Sequence, residues 1–152
     1  MFEFIKQAWA GVTGPVETPP VRRQVAALCY QDTDQGKRVL LITSRDTGRW
    51  IVPKGWPIEG LDGPQSALQE AWEEAGVREA DIESEPIGHF EYDKGLEDGE
   101  SIPIKAQVYL TRVRGLSTDY PEVDERERAW FDPSEAANVV DEPELKELLR
   151  SL

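Results

Sequence analysis

From Arg22 onward the pattern of apolar and polar positions becomes that of β-strands. Val25 to Tyr30 reads as a strand, Asp32 to Gly36 as a turn and Val39 to Thr43 as a second strand, together a hairpin. Ile51 and Val52 read as a short continuation, and Pro53, Gly55, Pro57, Gly60 and Gly63 then punctuate a loop. Gln65 to Ala75 is free of breakers and closed by Gly76. It reads as a helix whose apolar stripe is Ala67, Leu68, Ala71, Trp72 and Ala75, with Glu70, Glu73 and Glu74 pointing elsewhere. Further strands are expected at Ile87 to Tyr92, Ile104 to Val113 and Ala129 to Phe131, with turns at Lys94 to Gly99 and Gly115 to Pro121. Two short helices end the pattern, one capped by Ser134 and running to Val140, one opening at Pro143 with Leu145, Leu148 and Leu149 inward. The order is α+β, without internal repeats.

Residues 1 to 20 end in Pro15, Pro19 and Pro20 and read as an arm ahead of a domain spanning 21 to 152. Phe2, Ile5, Trp9 and Val12 recur at helical spacing, a face suited to packing on the arm's own domain or on a second copy in a homodimer. The opening residues lack both a basic start and a continuous apolar core, which argues against a signal peptide or a membrane span. The single cysteine, Cys29, lies in an apolar run and demands no oxidising compartment, so the cytoplasm is the expected location.

A chain of 152 residues suits one domain and one active site. Its formal net charge of -13 argues against a nucleic acid polymer or an anionic membrane as partner. The charge is uneven. Residues 1 to 54 hold eight Lys or Arg against five Asp or Glu, whereas the remainder holds nine against twenty-five. A basic front and an acidic back suit an anionic ligand together with a metal. Glu70, Glu73 and Glu74 stand at i, i+3, i+4 spacing, so their like charges repel by a few tenths of a kcal/mol per exposed pair, about what a solvated acidic face tolerates. Mg²⁺ or Mn²⁺, which prefer carboxylate oxygen and complete their shells with water and phosphate, would offset it. Lys54, with Arg45 and Arg49 just upstream, supplies cations for phosphate.

The segment Gly55 to Val77, GWPIEGLDGPQSALQEAWEEAGV, resembles the Nudix box, G-x5-E-x7-R-E-U-x-E-E-x-G-U with U apolar. Gly55, Glu70, Ala71, Glu73, Glu74, Gly76 and Val77 match, while Leu61 stands in place of the first glutamate and Gln69 in place of the arginine. In the family that glutamate and arginine are read as helping to hold loop against helix. The wider context, RWIVPKGW, IGHFEY and RAWFDPSEA, is similar to the diphosphoinositol polyphosphate phosphohydrolase branch of Nudix hydrolases.

The resemblance implies a Nudix α/β/α sandwich around a mixed β-sheet. It implies a metal-dependent hydrolase that uses Mg²⁺ or Mn²⁺ to cleave a pyrophosphate linkage in a small phosphorylated metabolite, either nucleoside-diphosphate-linked or of the diphosphoinositol polyphosphate type. Glu70, Glu73 and Glu74 are then metal ligands, with Glu70 and Glu74 innermost and catalytic and Glu74 the candidate general base. One further acid is expected from Glu122, Asp124, Glu125 or Glu127. Arg22, Arg23, Ser44, Arg45, Lys54 and Gly55 fall where that branch contacts phosphate, although Gln24 replaces a basic residue there. The alternative is a Nudix domain that binds a phosphorylated ligand as a regulator without turnover. His89, in an alternating strand, is left out of the site. Trp50 is expected in the core, and Trp56 to stack on a base or shield the site.

Overall fold

A computed structural model describes residues 20–152. The expected arm therefore lies outside the described residues, apart from Pro20. The elements in chain order are β1 (Arg22–Thr33), β2 (Gly36–Thr43), β3 (Trp50–Ile51), β4 (Lys54–Gly55), α1 (Gly63–Ala75), β5 (Val77–Ile82), β6 (Gly88–Gly95), β7 (Ser101–Leu116), β8 (Arg128–Phe131), α2 (Pro133–Val139) and α3 (Pro143–Arg150).

All eight strands join one mixed sheet whose central path runs β3-β2-β1-β7-β5. The β1–β2 hairpin is antiparallel, as its turn chemistry implies. The centre is the parallel pairing of β1 with β7, which sets Arg22 opposite Ile104 and Tyr30 opposite Arg112. β5 and β6 follow one another antiparallel along β7, and β8 pairs with β2.

The continuous apolar run in β1 follows from this position, because both faces of a central strand are covered. Val25, Ala27 and Cys29 point towards Ala67, Ala71 and Ala75 of α1. Ala26 and Leu28, one step out of phase, point into the core closed by Ala136 and Ala137 of α2 and Leu145 and Leu149 of α3. Helices thus lie on both sides of the sheet, the expected α/β/α sandwich. Trp50 packs on this second core, edge-on to Phe131 with ring centroids 4.9 Å apart.

Local chemistry sets the ends of α1. Asp62 accepts the N–H of Gln65 at 2.8 Å while the Gln65 side chain accepts the N–H of Asp62 at 3.0 Å, a reciprocal cap. Gly76 ends the helix at φ 71, the left-handed conformation that glycine adopts without strain. β5 was not expected from the sequence. The cap of α2 also differs: Asp132, not Ser134, is the N-cap, with Pro133 in the first turn and the Asp132 N–H pointing at Glu135 Oε1, 3.4 Å away.

Candidate active site

A cleft of ≈ 510 Å³ opens where β4, α1 and the segment before β8 meet. Its acidic wall comes from α1. The sheet-facing line of that helix is Ser66, Ala67, Ala71, Glu74 and Ala75, so Glu74 is buried, contrary to the expectation that all three glutamates lie off the buried side. At about 100° per residue Glu74 falls about 20° from Ala67, between it and Ser66, while Leu68 and Trp72 slide to the opposite flank. The Glu74 carboxylate meets the end of β4, where Oε1 accepts the backbone N–H of Lys54 at 3.2 Å.

Glu70, one turn earlier, lines the same cleft beside Glu74. Burial, then the Glu74 charge, raises the Glu70 carboxyl from its ordinary 4.5 to about 8. Burial also raises Glu74, against the opposing pull of Arg126 and of the Lys54 N–H. Gly55 makes this approach possible: a Cβ there would overlap the Glu70 carboxylate. The glycine is needed for space, not for its φ.

Glu73 takes the outer side of the helix, where its carboxylate accepts from Gln69 Nε2 at 2.7 Å. Of the four distal acids, only Glu122 lines the cleft. Glu125 is drawn outward by Arg45 at 2.9 Å, and Asp124, Glu125 and Glu127 are exposed. Arg126 joins the two acidic groups: it is 2.8 Å from Glu122, 3.7 Å from Glu74, and donates to the Thr43 carbonyl at 3.1 Å. Its side chain is only 7% exposed, so a buried cation stands between carboxylates from two distant segments. The sequence reading missed this residue, since nothing in the spacing of Arg126 relates it to α1.

Among the basic candidates, Lys54 projects over the Tyr92 ring, 5.0 Å from its centroid. Burial lowers its pKa to about 8, partly countered by Glu74. Ser44 and Arg45 also line the cleft, the Ser44 hydroxyl lying 2.8 Å from that of Thr47. Arg49 instead donates to Glu142 Oε2 at 3.0 Å. Arg22 places its guanidinium over Trp56, 5.1 Å from the ring centroid, but neither Arg22 nor Arg23 lines the cleft. His89 is exposed on β6, outside the cleft.

The loop ahead of α1 is held without the ion pair of the Nudix box. Ile58 donates its N–H to Ser66 Oγ at 3.0 Å, and the Asp62–Gln65 cap fixes the turn that follows. Leu61 and Gln69 instead line a separate cavity of ≈ 660 Å³ with Leu68, Trp72 and Val77, on the other flank of α1.

The family profile of the NUDIX domain matches residues 22–152, a span that includes the whole cleft. The chain belongs to the NUDIX family. Curated relatives of this NUDIX protein include bovine (Bos taurus) diphosphoinositol polyphosphate phosphohydrolase 3-beta, 27% identical over 78% of this chain and 69% of the relative. The mouse (Mus musculus) 3-alpha enzyme is 29% identical with the same coverages. Among solved structures, the C. elegans Ap4A hydrolase aligns with a TM-score of 0.59 at 22% identity, covering 86% of this chain and 95% of that one. The NUDIX domain of Shewanella oneidensis NrtR, complexed with ADP ribose, aligns with a TM-score of 0.63 at 16% identity, covering 95% and 94%. These likenesses establish the fold. Among the described residues no helix is long and apolar enough to cross a membrane.

The acid set suits magnesium. Among the described residues no three His, Cys, Asp or Glu side chains are grouped so as to hold a metal ion, and Glu73 stands apart from Glu70 and Glu74. Mg²⁺ rarely uses a complete protein cage, since it keeps several waters and is commonly held by one or two carboxylates plus substrate phosphate. Glu70, half-buried, and Glu74, buried, are two such carboxylates, and burial raises the pKa of both.

Proposed function

We propose that this NUDIX protein is a metal-dependent pyrophosphohydrolase acting on a small phosphorylated metabolite, nucleoside-diphosphate-linked or of the diphosphoinositol polyphosphate type. The observation that carries this reading is the Glu70–Glu74 carboxylate pair facing the same cleft as Lys54. Relatives named as diphosphoinositol polyphosphate phosphohydrolases and a structural neighbour named as an Ap4A hydrolase support the bond type.

Glu70 and Glu74 would hold Mg²⁺ or Mn²⁺, with Glu73 joining only by giving up Gln69. When bound, the metal neutralises the diphosphate and acidifies a water. The protein's own groups do the rest. Lys54 presents a desolvated ammonium to a phosphate oxygen, and Ser44 and Gly55 border the same space. Glu74, fixed by the Lys54 N–H and Arg126, stands as the group that takes a proton from the attacking water. Arg126 keeps Glu122 at the cleft as the distal acid.

The test is product release from a panel of diphosphoinositol phosphates, dinucleoside polyphosphates, nucleoside triphosphates and nucleotide sugars, with Mg²⁺, Mn²⁺ or chelator. Release abolished by chelator and by Glu74→Gln is expected. Binding of metal and ligand without release from any member would replace hydrolysis by ligand sensing.

A further inference from the structure

We propose that Trp56, braced by Arg22, is the platform that seats the base of a nucleoside polyphosphate in this cleft, so that the site selects nucleotides over diphosphoinositol polyphosphates. The proposal builds on the hydrolase reading by naming its substrate class.

The large apolar side chains exposed among the described residues are Val21, Trp56, Leu61, Ile87 and Leu96, and of these only Trp56 opens onto the cleft that holds Glu70 and Glu74. It is 38% exposed, yet its backbone is pinned on both sides. Gly55, just before it, is registered against Val25 of β1, and Ile58, two residues after it, is tied to Ser66 of α1 at 3.0 Å. An exposed indole on a fixed backbone offers contact area at little ordering cost, which a solvated loop tryptophan does not. Arg22, carried on β1 in register with Ile104, lies over the indole ring and restrains it as a cation–π partner. Pro57 and Ile58 extend the apolar lip beside it.

The cations point the same way. Four basic side chains line the cleft: Arg45, Lys54, Lys94 and Arg126. Arg45 is paired with Glu125, and Arg126 with Glu122 and Glu74. Lys54 and Lys94 alone have no carboxylate within ion-pair distance among the described residues. Two ammonium groups without a carboxylate partner among the described residues, together with an aromatic lip, suit a short phosphate chain ending in a base. A saturated ring carrying phosphates around its circumference would bring more charge than the cleft neutralises, and no flat face for Trp56.

The experiment is equilibrium binding to the full chain in Mg²⁺, with ADP, inorganic pyrophosphate and inositol hexakisphosphate as probes, for the parent, Trp56→Ala and Trp56→Phe. Thermal melts are to check that both variants fold. ADP should bind the parent about ten-fold more tightly than pyrophosphate. Trp56→Ala should erase that advantage without weakening pyrophosphate, and Trp56→Phe should keep most of it. In turnover, Trp56→Ala should raise KM for a nucleoside polyphosphate and leave kcat in place. Tighter binding of inositol hexakisphosphate than of ADP by the parent overturns the proposal, as does an equal loss of ADP and pyrophosphate on Trp56→Ala. Trp56-dependent ADP binding without any product release would sink hydrolysis and leave the platform standing.

Discussion

The backbone N–H of Lys54 donates to Glu74 Oε1 at 3.2 Å, so the residue before the glycine loop and the buried carboxylate of α1 hold each other in place. An amide oxygen can accept the same bond, more weakly than a carboxylate, and Glu122 still pairs with Arg126. Glu74→Gln should therefore keep the fold, with an unchanged far-ultraviolet spectrum, while turnover falls by about 10³-fold. A variant that melts early would show that Glu74 is structural first.

Gly55 leaves room for the Glu70 carboxylate, and a methyl group would push that flexible side-chain end aside. Gly55→Ala should fold normally but bind Mg²⁺ about ten-fold more weakly, a loss of roughly 1.4 kcal/mol. Calorimetric titration of the metal reads this directly, and parent-like affinity would mean that Glu70 does not ligate.

Glu70 sets a pH dependence whose sign is fixed by the direction of its shift. Its carboxyl is raised from 4.5 to about 8, so the folded state binds the proton more tightly than the unfolded chain. The associated stability is complete below 4.5 and lost as pH climbs through about 8. Metal-free protein should melt at progressively lower temperature across that window, and Glu70→Gln should flatten the decline. Added Mg²⁺ should raise the melting temperature more at the alkaline end, where both carboxylates are charged. A parent curve already flat in chelator would contradict the buried-pair geometry.

Arg126 is the counter-charge between Glu74 and Glu122. Removing one partner of a buried ion network leaves the others uncompensated, at a cost of about 3–5 kcal/mol. Arg126→Ala should lower the melting temperature by about 10 °C and be partly rescued by Mg²⁺. Equal shifts with and without metal would place Arg126 outside the site's electrostatics.

Leu61 and Gln69 line a cavity on the far flank of α1 from Glu70. Restoring the box residues with Leu61→Glu and Gln69→Arg should change turnover by no more than about two-fold, as for surface changes worth under ~0.5 kcal/mol. A large gain would show that the capped loop is less firmly held than its hydrogen bonds indicate.

What was legible in the sequence was local. The β1–β2 hairpin, the α1 stripe and the Gly76 stop follow from residue periodicity and turn chemistry within a few positions. β5 escaped because VREADI carries only Val77, Ala80 and Ile82 as apolar marks and follows Gly76 directly, so it reads as a helix exit. Glu74 was misplaced because Leu68 and Trp72, large and apolar, shifted the apparent centre of the buried stripe; the small Ala67, Ala71 and Ala75 fit closest to the sheet. The union of Glu122 and Arg126 with Glu74 depends on pairing β8 with β2 across the sheet, and no short-range pattern carries such a contact.

The parallel β1–β7 ladder joins Arg22 to Ile104, partners about 80 residues apart. At ribosomal speeds of ~5–20 residues per second, the start of β1 emerges roughly 4 to 16 s before its partner residues on β7, the strand that closes its open edge. During that interval a run of apolar backbone stands ready to pair with another nascent chain. Slower growth at low temperature, or extra chaperone capacity while the chain is being made, should therefore govern the recoverable yield.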